Sequence, residues 1–222
     1  MKLLGHDIKA AILDMDGTLI DSTSLWHDID RRFFEKRGMQ IPEEYAQHIV
    51  HLGLQQAAVY TKEAYGFKES PEEIMEEWHQ MSLNIYQNDV ALKPGVIELL
   101  ELFKSHGVKM AIATANDEQL YMPCIKRLGI EQYFDFIADV NVVKEGKHSA
   151  KIYQYLAEKM LAKPENTLVI EDMPTCVKTA HDSGFVTIAV YDKASEKYDN
   201  DKRINSDLFV DNLNELRDII EK

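Results

Sequence analysis

The stretch "IKAAILDMDGTLID" (Ile8–Asp21) starts as a short apolar run and breaks into acids around a Gly-Thr step. Its first half lacks strict alternation, which fits a strand buried on both faces, as in a parallel sheet. Asp14 and Asp16 then fall two residues apart, the spacing at which an extended chain aims two side chains the same way. Four further runs have the same character: "VKMAIAT" (108–114), "FDFIA" (134–138), "TLVIED" (167–172) and "FVTIAV" (185–190). Helical patterns separate them at 95–107, 117–129, 149–162 and 175–184. This alternation predicts an α/β fold, a doubly wound parallel sheet with its ligand site at the carboxyl ends of the strands.

Residues 21–90 interrupt the alternation. No strand pattern occurs there, and Leu25/Ile29/Phe33, the run Gln55 to Tyr65 and the Ser70-Pro71 start into "EEIMEEWHQMSLNIY" all read as helices. The expected organisation is an α/β core of residues 1–20 plus 91–222 with an inserted all-helical cap domain at 21–90, a lid at the active edge. Asp21 is expected to cap a helix beginning near Ser22.

Composition narrows the classes of function. The 222 residues carry 38 acids against 25 bases, a formal charge of −13, which repels nucleic acid and anionic membranes and favours small molecules as partners. No run approaches the roughly 18 apolar residues of a membrane span, and the start of the chain has no apolar signal region, so a cytoplasmic protein is expected. Cys124 and Cys176 stand apart without ligand spacing and read as structural.

Parallel strands would bring their polar ends together: Asp14 and Asp16, Thr114 and Asn116, Glu171 and Asp172, with Lys147 ahead of a helix. Carboxylates that close raise one another's pKa, and a divalent cation resolves the conflict. An oxygen-only ligand set without His or Cys suits Mg²⁺.

With these residues in view, the chain resembles the haloacid dehalogenase superfamily, in its branch of β-phosphoglucomutase-like proteins and sugar phosphatases with a helical cap and a Rossmann-like core. "DMDGTLIDS", "ATAN", "GKHSAKIY" and "VIEDMPTCVKTAHDSGF" look like its four motifs in order. The resemblance implies that Asp14 is the nucleophile, forming an aspartyl-phosphate, and that Asp16 is the general acid and base. It implies Mg²⁺ on the carboxylate of Asp14, the backbone carbonyl of Asp16 and the carboxylate of Asp172, with Glu171 close by. Thr114, Asn116 and Lys147 would hold the phosphoryl group. His148, Lys151 and Cys176 depart from the usual motif residues, flanking the chemistry without removing a reacting group.

The implied activity is hydrolysis of small phosphomonoesters, sugar or polyol phosphates, with a phosphorylated metabolite as partner. A phosphomutase is the alternative, but Gln55 and Gln56 stand where the mutases carry an Arg, and Trp26 where they carry a hinge His. Trp26, His51 and Gly53 are candidate substrate contacts, whereas Trp78 reads as helix packing. His48 and His51 share helical spacing but lack a third ligand. A phospho-Asp receiver or binding protein fits less well, since receivers lack the helical insertion and no reacting residue is lost here.

Overall fold

The computed structural model describes residues 1–22, 25–42, 44–49, 52 and 54–221, with the side chains of Ala46 and Gln47 excepted. Two compact units emerge, Met1–Thr23 with Val90–Lys222, and Ser24–Asp89.

The first unit is built on a sheet of six parallel strands: β1 (Ala10–Asp14), β2 (Lys109–Thr114), β3 (Phe136–Asp139), β4 (Thr167–Glu171), β5 (Val186–Val190) and β6 (Leu208–Val210). Their order is β6-β5-β4-β1-β2-β3. Every residue of β1, β4 and β5 is buried, which explains why those runs show no alternation. On one face Ile152, Tyr153, Leu156 and Ala157 of the helix Lys151–Lys159 pack onto Ala10, Ile12, Ala111 and Ala113, whose small side chains admit the helix closely.

Register explains how distant residues meet. Leu13 pairs with Ile170 and Asp14 with Ala113, so Asp14 stands level with Glu171 on one side and beside Thr114 on the other. The chain winds outward from β1 through β2 and β3, then crosses back to β4 on the opposite side. Asp14 and Glu171 therefore flank the point where strand order reverses, the usual place for a ligand crevice in an open α/β sheet.

Asp21 does not cap a helix. Ile20–Asp21 forms a short antiparallel ribbon with Ala91–Leu92, and the first helix runs Leu25–Glu35. Backbone pairing across the two crossings of the chain holds Asp21 extended, so the division between units falls at 24 and 89. Strand β6 and the helix Leu213–Ile220 were not foreseen, because the three-residue strand is too short to carry a period.

The helical unit contains Leu25–Glu35, Tyr45–Ile49, Leu54–Tyr65 and Pro71–Asn88. Ser70 and Glu73 close a reciprocal capping box at the last of these, with Pro71 in the first turn where its missing N–H costs nothing. Phe33, Phe34, Tyr45, Tyr65 and Phe67 form an edge-to-face aromatic core. Trp78 packs against Phe33 at 5.6 Å between ring centroids. Among the described residues no helix is long and apolar enough to cross a membrane.

Candidate active site

The polar ends of β1, β2 and β4 converge in the α/β unit. Asp14, Glu171 and Asp172 are all buried, and each offers an oxygen within 4.8 Å of the others. Lys147 lies between two of them: its ammonium pairs with Asp14 Oδ1 and sits 2.6 Å from Glu171 Oε1. It also donates to the carbonyl of Ala113 at 3.2 Å. The Tyr153 hydroxyl donates to Glu171 Oε1 at 2.8 Å, so the helix behind β1 and β4 helps fix that carboxylate.

At least one oxygen on each acid is left over. Asp14 Oδ2, Glu171 Oε2 and Asp172 Oδ1 are buried without a hydrogen-bond partner. Buried polar atoms are rarely left unpaired. Burial pushes the pKa of Glu171 and Asp172 above the usual carboxylate range, and the negative charge of Asp14 pushes them further. Burial also opposes the charge on Lys147, but Asp14 and Glu171 outweigh it and hold the ammonium above its ordinary pKa. One internal cation among three carboxyls leaves negative charge uncompensated. Three orphaned carboxylate oxygens around a small space fit a divalent cation, and an all-oxygen donor set suits a hard one.

Gly17 is part of this cradle. At φ +84° it adopts the left-handed conformation, and a Cβ there would stand 2.6 Å from Asp172 Oδ2. The glycine thus makes both the sharp exit from β1 and the room for Asp172.

Asp16 belongs to a separate arrangement. Ser22 Oγ donates to its Oδ1 at 2.8 Å, and the Asn116 side-chain amide donates to its Oδ2 at 2.7 Å. Asn116 in turn donates its backbone N–H to Thr114 Oγ1 at 3.1 Å. The structure therefore brings Asp14, Asp16, Thr114, Asn116, Lys147, Glu171 and Asp172 to one edge of the sheet. It turns the Asn116 amide toward Asp16, a contact that spacing alone does not reveal.

Trp26 lies in the helical unit and is half exposed. His51 and Gly53 lie outside the described residues. His48 stacks on Tyr60 and bonds the Glu44 carbonyl, a local surface arrangement. Cys124 and Cys176 are free and buried.

Sequence reading missed the supports behind the site. The Lys93 ammonium donates to the carbonyls of Gly17 at 2.6 Å and Tyr191 at 3.1 Å and pairs with Asp192 at 2.8 Å. It ties the turn after β1 to the loop after β5. Lys202, with no exposed surface, donates to Ser195 Oγ at 3.0 Å, and Ser195 donates to the carbonyl of Asp172 at 3.0 Å. Neither lysine stands in a recognisable motif; only a buried position after folding distinguishes them from solvated ones.

Comparison with known proteins agrees with this geometry. A phosphorylated carbohydrates phosphatase of Thermotoga maritima is 30% identical over 181 residues, 82% of this chain and 84% of that one. Hexitol phosphatase B of Escherichia coli is 24% identical over 95% of each chain. A Thermotoga maritima crystal structure, provisionally described as a beta-phosphoglucomutase, superposes with a TM-score of 0.82 at 28% identity, covering 95% of this chain and 99% of that one. Residues 11–190 match the model of the haloacid dehalogenase-like hydrolases, and with the acid cluster at the head of the sheet this places the chain in that family.

Proposed function

We propose that this enzyme is a Mg²⁺-dependent cytoplasmic phosphatase of small phosphomonoesters, sugar or polyol phosphates, working through an aspartyl-phosphate on Asp14. The observation that carries the reading is the buried triad with at least one unpartnered oxygen per carboxylate, beside Lys147 and with a hydrogen-bonded Asp16 two residues after Asp14. Two free, buried thiols suit a reducing compartment. Phosphatase activity in relatives named for carbohydrate and hexitol phosphates supports the substrate class.

In this mechanism an oxygen of Asp14 attacks phosphorus as the bond to the leaving alcohol breaks. Asp16 gives the departing oxygen a proton, then accepts one from the water that attacks the aspartyl-phosphate and regenerates Asp14. Ser22 and Asn116 hold Asp16 for both steps through its two oxygens. Lys147 and Thr114 stabilise the charge gathering on the phosphoryl oxygens. Asp14, Asp172 and the carbonyl of Asp16, with Glu171 nearby, would hold Mg²⁺, which neutralises charge on carboxylates and phosphate together. The helical unit would serve as the cap that selects the leaving group.

Hydrolysis is favoured over isomerisation because a mutase must hold a second phosphate. No Lys or Arg lines the cavity of the helical unit among the described residues. The test is a screen of phosphorylated sugars and polyols that measures free phosphate and isomerised product, with acid-quenched protein assayed for bound phosphate. Phosphate release that needs added Mg²⁺, with both release and labelling abolished in Asp14→Asn, is expected. Full turnover in that variant, or isomer without phosphate, would overturn the reading.

A further inference from the structure

The helical unit contains a cavity of about 410 Å³, the size of a small-molecule site. Ile41, Ile49, Leu52 and Leu54 give it apolar walls, and the indoles of Trp26 and Trp78 complete them. One carboxyl stands in this wall. Asp30 lies one helical turn beyond Trp26 on the same face and is 6% exposed.

No hydrogen bond or ion pair reaches the Asp30 carboxyl among the described residues, because the neighbouring cations are engaged elsewhere. Arg31 pairs with Asp28 and Glu35, Arg32 with Asp89, Lys36 with Glu77, and Arg37 with Glu69 and Glu77. The unit's other two cations, Lys62 and Lys68, do not line the cavity. His27 does line it, but no ion pair joins it to Asp30. Burial pushes the pKa of Asp30 up to about 7. An acid in an apolar wall is costly unless something pairs with it, and an aliphatic residue of similar size would pack there at no such cost. Indole faces attract ammonium groups, most strongly where water is excluded. A carboxyl and two indoles around one small cavity thus share a single complementary chemistry.

We propose that this cavity binds a small organic cation, an alkylammonium group whose charge pairs with the Asp30 carboxylate and whose carbon chain packs against Trp26 and Trp78. The site goes beyond the phosphatase reading, in which Trp26 is a candidate substrate contact, and its occupancy is tested apart from that reading.

Trp26 and Trp78 are the chain's two tryptophans, and both line the cavity, so intrinsic fluorescence reports on it directly. The full chain is titrated with butylammonium and with the neutral 1-butanol at matched ionic strength. A saturable fluorescence change is expected with butylammonium at about tenfold higher affinity than with the alcohol, a ratio worth about 1.4 kcal/mol. Asp30→Asn should reduce the cation's affinity to that of the alcohol. Equal affinity for the two probes, no saturable response to the cation, or an undiminished response in a folded Asp30→Asn protein would each overturn the proposal. Should that variant fail to fold, the comparison of cation with alcohol on the unaltered protein decides alone. Butylammonium that raises KM for a phosphomonoester without lowering kcat would identify the cation as part of the substrate. Binding that leaves KM unchanged would identify a separate ligand, and both results require the site. Absent phosphatase activity would defeat the functional reading while leaving the fluorescence result intact.

Discussion

Glu171 in the α/β unit and Asp30 in the helical unit are both buried carboxyls, and the chain surrounds them differently. Glu171 takes the Lys147 ammonium at 2.6 Å and the Tyr153 hydroxyl at 2.8 Å on a single oxygen. Asp30 takes neither an ammonium nor a hydroxyl among the described residues, although Arg31 and Arg32 follow it immediately in sequence. A helix sends consecutive residues in different directions, so adjacency along the chain gives no partner. The fold brings Lys147, in the turn ahead of the helix Lys151–Lys159, to Glu171 at the end of β4. The α/β unit therefore holds its charges in an assembled network, and the proposed chemistry uses that network without reorganising it. Among the described residues the helical unit leaves the Asp30 carboxyl buried without an ion pair.

Removing Lys147 would strip the first network of its internal cation. Lys147→Met keeps the bulk of the side chain but leaves Asp14, Glu171 and Asp172 facing one another. Breaking a buried pair typically costs about 3–5 kcal/mol, and loss of a charge that stabilises a transition state lowers kcat by about 10²–10³. Urea unfolding and steady-state kinetics of the variant are expected to show both. Added divalent cation should recover part of the stability but not the rate, since it compensates the acids without replacing the ammonium. A variant as stable as the original would mean that the network is not held together by Lys147.

A smaller effect is expected from Gly17→Ala. A Cβ 2.6 Å from Asp172 Oδ2 forces that carboxylate aside, and φ +84° adds backbone strain. Together these predict a loss of about 1–2 kcal/mol in stability and about tenfold in divalent-cation affinity, measured by calorimetry on the apo protein. Unchanged cation affinity would remove Asp172 from the proposed ligand set.

The α/β unit was largely legible because its signals are local. Apolar runs such as "TLVIED" report strands buried on both faces, and their polar ends become neighbours once the strands are parallel. Asp14, Thr114 and Glu171 all follow from that one inference. The supports of the site were not legible. Lys93, Ser195 and Lys202 act through backbone carbonyls of Gly17 and Asp172, and a carbonyl acceptor leaves no mark in the sequence. Asp21 was misread for a related reason: its pairing with Ala91 spans the whole helical insertion, whereas a cap is a local arrangement. In the helical unit the period correctly gave helices and placed Phe33 inside. It gave no sign that Asp30, in the same helix, would also be buried, because an acid in a helix ordinarily marks the solvated face.

The unpaired state of Asp30 has its own consequence for stability, and Asp30→Asn isolates it. Burial raises the carboxyl from 3.8 to about 7, so the folded protein prefers the neutral form more than the unfolded chain does. A raised acid contributes stability below its unfolded pKa and loses it as pH rises through the folded value. The unaltered protein should therefore lose ground relative to Asp30→Asn between about pH 4 and about pH 7, with little further change above that window. A rise of this size corresponds to at most about 4 kcal/mol. The asparagine amide is itself buried without a partner at a cost of about 1–3 kcal/mol, which leaves a net gain of at most about 1–3 kcal/mol at alkaline pH. Urea unfolding of both proteins across that range measures the difference and cancels titrations common to the two. A gap that stays constant with pH would show that Asp30 ionises in the fold as it does in the unfolded chain, and the contrast with Glu171 would then lie in geometry alone.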